Sequence, residues 1–185
     1  MRISPPFCRA SSGRGCAEAV TKPYRANVGI CVFNAHGRVL IARRIASDGP
    51  EIILPGFEWQ MPQGGIDPDE DPKVAAHREL REETGITHVT PLAALDEWLS
   101  YDFPSYTGPP HRLDRFRGQR QRWFAMRHDG PDADIDVTRA TPEAPQEFDA
   151  WRWESLERVP DLVVPFRRPI YERVVQAFMR FARRM

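Results

Sequence analysis

The stretch GGIDPDEDPKVAAHRELREETGI, residues 64–86, constrains the fold of this chain more than any other. It bounds a helix at both ends. Asp71 offers an N-cap side chain, and Pro72 suits the first helical position, where its missing N–H leaves no helical bond unmade. Gly85 suits the left-handed residue that closes a helix, so the bounds predict about 13 helical residues. Within them Glu79, Glu82 and Glu83 follow i, i+3, i+4 spacing, which sends three carboxylates out of one face. Like charges so placed destabilise an isolated helix. A hard divalent cation over that face relieves the repulsion, and magnesium in particular keeps waters that a phosphate can replace. Ala75 and Ala76, about a turn earlier, leave room beside the carboxylates. Taken alone, the same residues also fit a solvated face laced with Arg78 and Arg81.

Around this helix the chain reads as mixed strands and helices. Residues 26–34 form a buried strand, Asn34 and Gly37 a turn, and residues 38–44 its hairpin partner. Residues 45–58 hold Asp48-Gly49-Pro50 and Pro55-Gly56 and read as a loop, with a short strand at 59–62. Residues 89–101 read as one strand with a bend, 103–118 as a Pro- and Arg-rich loop, 121–127 as a strand, 129–146 as an acidic loop and 148–153 as a strand. Residues 169–184 form a basic amphipathic helix with Ile170, Val174, Phe178 and Phe181 on one stripe. Packing on a sheet is favoured for it over a membrane surface. Helices available for both faces of a sheet point to an α/β/α sandwich.

At 185 residues one domain is expected, residues 23–185, preceded by an arm at 1–22 that carries Pro5, Pro6, Gly13 and Gly15 without apolar periodicity. The longest apolar runs are short, as at residues 39–42, which excludes a membrane-spanning helix. Cys8, Cys16 and Cys31 make neither metal-like pairs nor a disulfide framework, so a reducing, cytoplasmic compartment is expected. The net charge of zero hides an asymmetry. Residues 51–100 carry three basic and eleven acidic side chains, whereas 1–50 carry eight and two, and 151–185 eight and four. Acid between basic flanks suits a cation-held polyanion, and it equally suits a solvated charged surface.

Residues 64–86 match the Nudix hydrolase signature at Gly64, Glu70, Arg78, Glu79, Leu80, Glu82, Glu83, Gly85 and Ile86. The chain resembles that family, which implies a Nudix-type α/β/α sandwich with a mixed β-sheet. It also implies metal ligands at Glu79, Glu82, Glu83 and the Gly64 carbonyl, with Glu70, Arg78 and Gly85 as structural members of the box. The cofactor implied is Mg2+ or another divalent cation such as Mn2+. A phosphoanhydride needs its oxygens neutralised and an in-line water activated, tasks for clustered carboxylates and a separate base. Glu147 matches a family position and is the candidate additional ligand or general base; Glu82 or Glu83 could take the latter role instead. An exposed loop carboxylate is the plain alternative for Glu147.

Beyond the box, YRANVGICVFN, WQMPQGG, WLSYDFP, GQRQRWF, EFDAWRW and VVPFRR are similar to the bacterial RNA pyrophosphohydrolases and the related dinucleoside polyphosphate hydrolases. This resemblance implies removal of pyrophosphate from a 5′-triphosphorylated RNA end. The partners implied are RNA 5′ ends or dinucleoside polyphosphates, with no DNA and no membrane, and the chain is expected to be a monomer. It places Arg25 and Arg44 toward phosphate and the 5′ nucleotide, adds Tyr101 to the substrate-binding residues, and puts Val164, Phe166 and Arg167 in a base-binding cleft. Phe166 equally fits a core position. The arginines between Arg112 and Arg127 fit backbone contacts or a solvated loop. A catalytically dead Nudix-fold module would be expected to lose box carboxylates, and all are present here. One departure lies near Arg44: residues 45–58 are an insertion where the subgroup has only a few residues.

Overall fold

The computed structural model describes residues 22–138 and 146–182. In chain order the elements are β1 (Tyr24–Phe33), β2 (Val39–Arg44), β3 (Trp59–Gln60), β4 (Gln63–Gly65), α1 (Pro72–Thr84), β5 (Val89–Ala94), β6 (Leu99–Asp102), β7 (Gly118–His128), β8 (Phe148–Glu154) and α2 (Arg168–Phe178). Alternation along β1 sets up two cores at once. Val28, Ile30 and Val32 face one side and Cys31 and Phe33 the other, all fully buried. On the first side α1 packs Ala75, Ala76 and Leu80, and on the second α2 packs Ile170, Tyr171, Val174 and Phe178. The fold is therefore an α/β/α sandwich. Its sheet is mixed: β1 pairs in parallel with β7, and the order β3-β2-β1-β7-β5 is extended by β4 on β1, β6 on β7 and β8 on β2, all antiparallel.

The edge of β1 away from β7 is shared. Asn27, Val28 and Gly29 pair with β4, while Phe33 pairs with Val39 of β2. β4 and β2 diverge from that edge.

Helix α1 ends where its caps dictate. The Asp71 carboxylate accepts the N–H groups of Lys73 (2.8 Å) and Val74 (3.4 Å), and Gly85, at φ 73°, donates its N–H to the Arg81 carbonyl at 2.9 Å. Ala75 and Ala76 are fully buried against the sheet, so their small size seats the helix rather than leaving room beside the carboxylates.

Strand ends shift by a few residues, as at β7, and two differences go further. The single bent strand expected at 89–101 is two strands, β5 and β6, both on β7, with a register irregularity between Pro91 and Ala93, where proline cannot donate to a ladder. The C-terminal helix stops at Phe178 and tightens into a 3-10 turn over Met179–Phe181. Three residues per turn bring Phe178 and Phe181 to one side, ring centroids 6.3 Å apart, and Phe181 meets Phe33 at 6.0 Å. α2 is held on the sheet, and Arg173 pairs with Glu97 at 2.7 Å. Among the described residues no helix is long and apolar enough to cross a membrane. Cys31 is buried with a free thiol. Arg183, Arg184, Cys8, Cys16 and the arm, Lys22 apart, lie outside the described residues.

Candidate active site

A cavity of about 600 Å3 opens where β4 and β2 part from β1. β1 contributes Arg25 and Asn27, β2 ends in it with Arg44, and β4 lays Gln63, Gly64 and Gly65 along one wall. α1 supplies Arg78, Glu79, Glu82 and Glu83, and the chain entering β8 supplies Glu147. The structure thus gathers Gly64, Glu79, Glu82 and Glu83, the expected metal ligands, with Glu147 and the two arginines expected to face phosphate, Arg25 and Arg44, in one place.

Arg78 organises the box. Its Nε and Nη2 donate to the two oxygens of Glu70 (2.9 and 2.8 Å), Nη2 also to the Gly65 carbonyl (2.9 Å), and Nη1 to Glu79 (2.8 Å) and Glu82 (3.3 Å). This pairing holds the Glu70 carboxyl down at about 2, helped by the N–H of Asp67. Gly64 runs directly against the Glu79 carboxylate, and a Cβ there would collide with it.

The remaining acids bear the opposite stress. Burial raises Glu79, with Arg78 pulling it partly back. Burial raises Glu83 well above the usual carboxylate range and the facing Glu147 and Glu79 raise it more, while its Oε2 accepts the Gln63 N–H at 3.0 Å. Glu147 is raised by burial as well, against the pull of Arg44. Arg44 Nε lies 3.3 Å from Glu147 Oε1 but, misaligned, has no hydrogen-bond acceptor among the described residues despite being buried. A buried N–H without an acceptor on this wall suits an anionic oxygen.

A cation relieves carboxylates whose ionised form is opposed by burial and by one another, and carboxylate with carbonyl oxygens form the hard donor set of magnesium or manganese. Among the described residues no three such side chains already converge on one point, because Arg78 holds Glu79 and Glu82 while Gln63 holds Glu83.

The other candidates stand apart. Arg167 is 2% exposed, donating to Gln60 (2.7 Å) and to Glu51 (2.9 Å). Tyr101, buried, donates its hydroxyl to Glu51 at 3.2 Å, and the half-buried Phe166 packs on Tyr101 at 5.6 Å. Val164 and Arg167 share with Arg44 a nearly filled space of about 10 Å3, closed by Ile52, Ile53 and Phe57 of the insertion.

Glu51 is the residue that sequence reasoning missed. It is 6% exposed, accepts from Arg167, Tyr101 and Gln119, and lines the main cavity. An acid inside an insertion carries no pattern that announces its burial. The amide floor of the cavity was more visible: in GQRQRW the inward positions are Gln119, Gln121 and Trp123, and Gln121 donates to Asn27 (2.9 Å) and Gln63 (3.0 Å).

A model of the NUDIX domain matches residues 23–174. The chain belongs to the Nudix family. Nudix hydrolases generally use divalent cations. A relative from Acidiphilium cryptum, named RNA pyrophosphohydrolase, is 50% identical over 169 residues, which is 89% of this chain and 96% of the relative. Among solved structures of the Nudix fold, a MutT protein from Methanosarcina mazei superposes with a TM-score of 0.58 at 22% identity, covering 86% of this chain and 98% of that one. An Ap4A hydrolase from C. elegans superposes with a TM-score of 0.53 at 19% identity, covering 83% and 98%. At such identities the two structures speak for the fold alone.

Proposed function

We propose that this protein removes pyrophosphate from the 5′-triphosphate end of RNA, leaving a 5′-monophosphate, in the cytoplasm and as a monomer. The observation that carries the chemistry is the crowding of Glu79, Glu83 and Glu147, raised by burial, into one cavity with Arg25 and Arg44. RNA as substrate is supported by the Acidiphilium cryptum relative, which aligns along nearly its whole length. Glu79, Glu82, Glu83, Glu147 and the Gly64 carbonyl would hold Mg2+ or Mn2+, with Glu70, Arg78 and Gly85 fixing the box around them. When bound, the cation neutralises phosphate oxygens and lowers the cost of generating hydroxide at neutral pH.

The protein's own groups account for the rest. Arg44, with its unsatisfied Nε, and Arg25, beside Glu79, receive polyphosphate oxygens. Glu147 faces Glu83 and is raised by burial, and a carboxylate with a raised proton affinity is suited to take a proton from the attacking water. Val164 and Arg167 would receive the base once Ile52, Ile53 and Phe57 yield space, with the Tyr101 and Phe166 rings against the Arg167 guanidinium completing the cleft. The test compares 5′-triphosphorylated RNA with diadenosine polyphosphates at equal magnesium. Pyrophosphate, or sequential phosphates, from RNA with the higher kcat/KM supports this reading; preferred cleavage of the dinucleoside polyphosphate replaces it, and binding without any product under either cation overturns catalysis altogether.

A further inference from the structure

A second cavity, of about 450 Å3, adjoins the first and shares Arg25, Gly65 and Arg112 with it. Its other walls include Asp67, Arg115 and Phe116, so three guanidinium groups face one carboxylate. Arg112 is tied back by Asp48. The side chains of Arg25 and Arg115, by contrast, make no hydrogen bond or ion pair with any described residue. Arg25 lies across Gly65, where a Cβ would strike its guanidinium, and so stands at the junction of the two cavities. Arg115 sits over the Phe116 ring at 4.8 Å. A 3-10 turn presents this pair: His111 and Asp114 close a reciprocal cap, and Leu113 anchors the turn in the interior.

Unpaired cations beside a cation–aromatic pair form the combination that holds single-stranded nucleic acid, with phosphates on the charges and a base on the flat pair. A site for free phosphate has no use for the aromatic ring. Building on the proposed RNA activity, we propose that this second cavity is the track for the RNA chain leaving the catalytic cavity. A phosphodiester lies against Arg115, beyond Arg25 at the junction, and one base stacks on Arg115 and Phe116.

The test measures binding to the Glu83→Gln protein, slowed in turnover, by fluorescence anisotropy of labelled 5′-triphosphorylated oligoribonucleotides of one, two and four nucleotides. The longer oligonucleotides are expected to bind more tightly than the mononucleotide. Arg115→Glu, on an exposed side chain, is expected to remove that gain, weakening the tetranucleotide roughly 5- to 150-fold. It should also lower the slope of log Kd against log salt by about 0.7 for each phosphate that the protein no longer neutralises. Phe116→Ala, with its melting temperature checked, is expected to reproduce the weakening without the change in slope. If Arg115→Glu leaves the length gain intact, the track is wrong. If it weakens a dinucleoside tetraphosphate as much as the tetranucleotide, the cavity holds a nucleoside end and the track is again wrong. Should wild-type protein release no pyrophosphate from RNA, the proposed activity fails by a separate readout, and the length gain still decides the track.

Discussion

Replacing Glu51 with alanine strands a buried guanidinium. Arg167, 2% exposed, keeps Gln60 but loses the Glu51 carboxylate, and the Tyr101 hydroxyl and Gln119 amide lose their acceptor in the same step. Removing one partner of a buried ion pair costs about 3–5 kcal/mol. For a chain of this size each kcal/mol lowers Tm by roughly 2–4 °C, so Glu51→Ala is expected to melt roughly 6–20 °C below wild type. Adding Arg167→Met, which removes the second charge in similar volume, should recover most of that loss. Urea and thermal melts of both single variants and the double variant give the coupling energy directly. A loss under about 1 kcal/mol in Glu51→Ala, the size of an exposed pair, would refute the reasoning, and segment 45–58 would then be held by something other than this charge cluster.

Glu82→Gln and Glu83→Gln should each lower kcat by about 100-fold or more at saturating magnesium without lowering Tm, since each removes a ligand charge from a cavity wall; near-wild-type turnover in either would refute the ligand assignment. Glu79, Glu83 and Glu147 have folded pKa values above the unfolded carboxylate value of about 4.3, so their contribution to stability is fully present below that pH and is lost as pH rises through the folded values. Metal-free protein should therefore lose part of its Tm as pH rises above about 4.3, and magnesium at ~100 times its Kd should restore about 2.7 kcal/mol near neutrality; scanning calorimetry with and without the cation checks both. Glu70, held at about 2, acts in the other direction, giving stability that disappears only as pH falls from about 4.3 toward 2. Phe166→Ala should lower kcat/KM for triphosphorylated RNA by roughly 5- to 150-fold while sparing a free nucleoside triphosphate; equal loss on both, or a lower Tm alone, would assign the ring to packing against Tyr101.

What the sequence made legible was local or alternating. The caps of α1 are set by Asp71, Pro72 and Gly85 acting within a few residues of one another, and the i, i+3, i+4 glutamates need only helical geometry to share a face. β1 carries apolar residues on both faces, which announces a strand covered twice. The 3-10 ending of the last helix was not legible, because it depends on Phe33, far along the chain, meeting Phe181. Nor was the split of 89–101, which depends on both pieces pairing with β7. Least visible was the insertion: the sequence showed that residues 45–58 are extra, but the burial of Glu51 comes from Arg167, Tyr101 and Gln119, residues from three separate elements.

The parallel pairing of β1 with β7 has a consequence for how the protein is made. Asn27 and Gln121 sit side by side in the sheet yet are 94 residues apart in the chain. Closing so long a loop costs entropy before any contact returns it, which predicts slow folding with late formation of the sheet centre. A ribosome will have released α1 and its glutamates well before β7 exists to complete the floor beneath them, and Glu147 emerges later still. The carboxylates are therefore synthesised long before the pocket that confines them, so a growing chain carries the box without its confining walls until β7 and Glu147 have been translated.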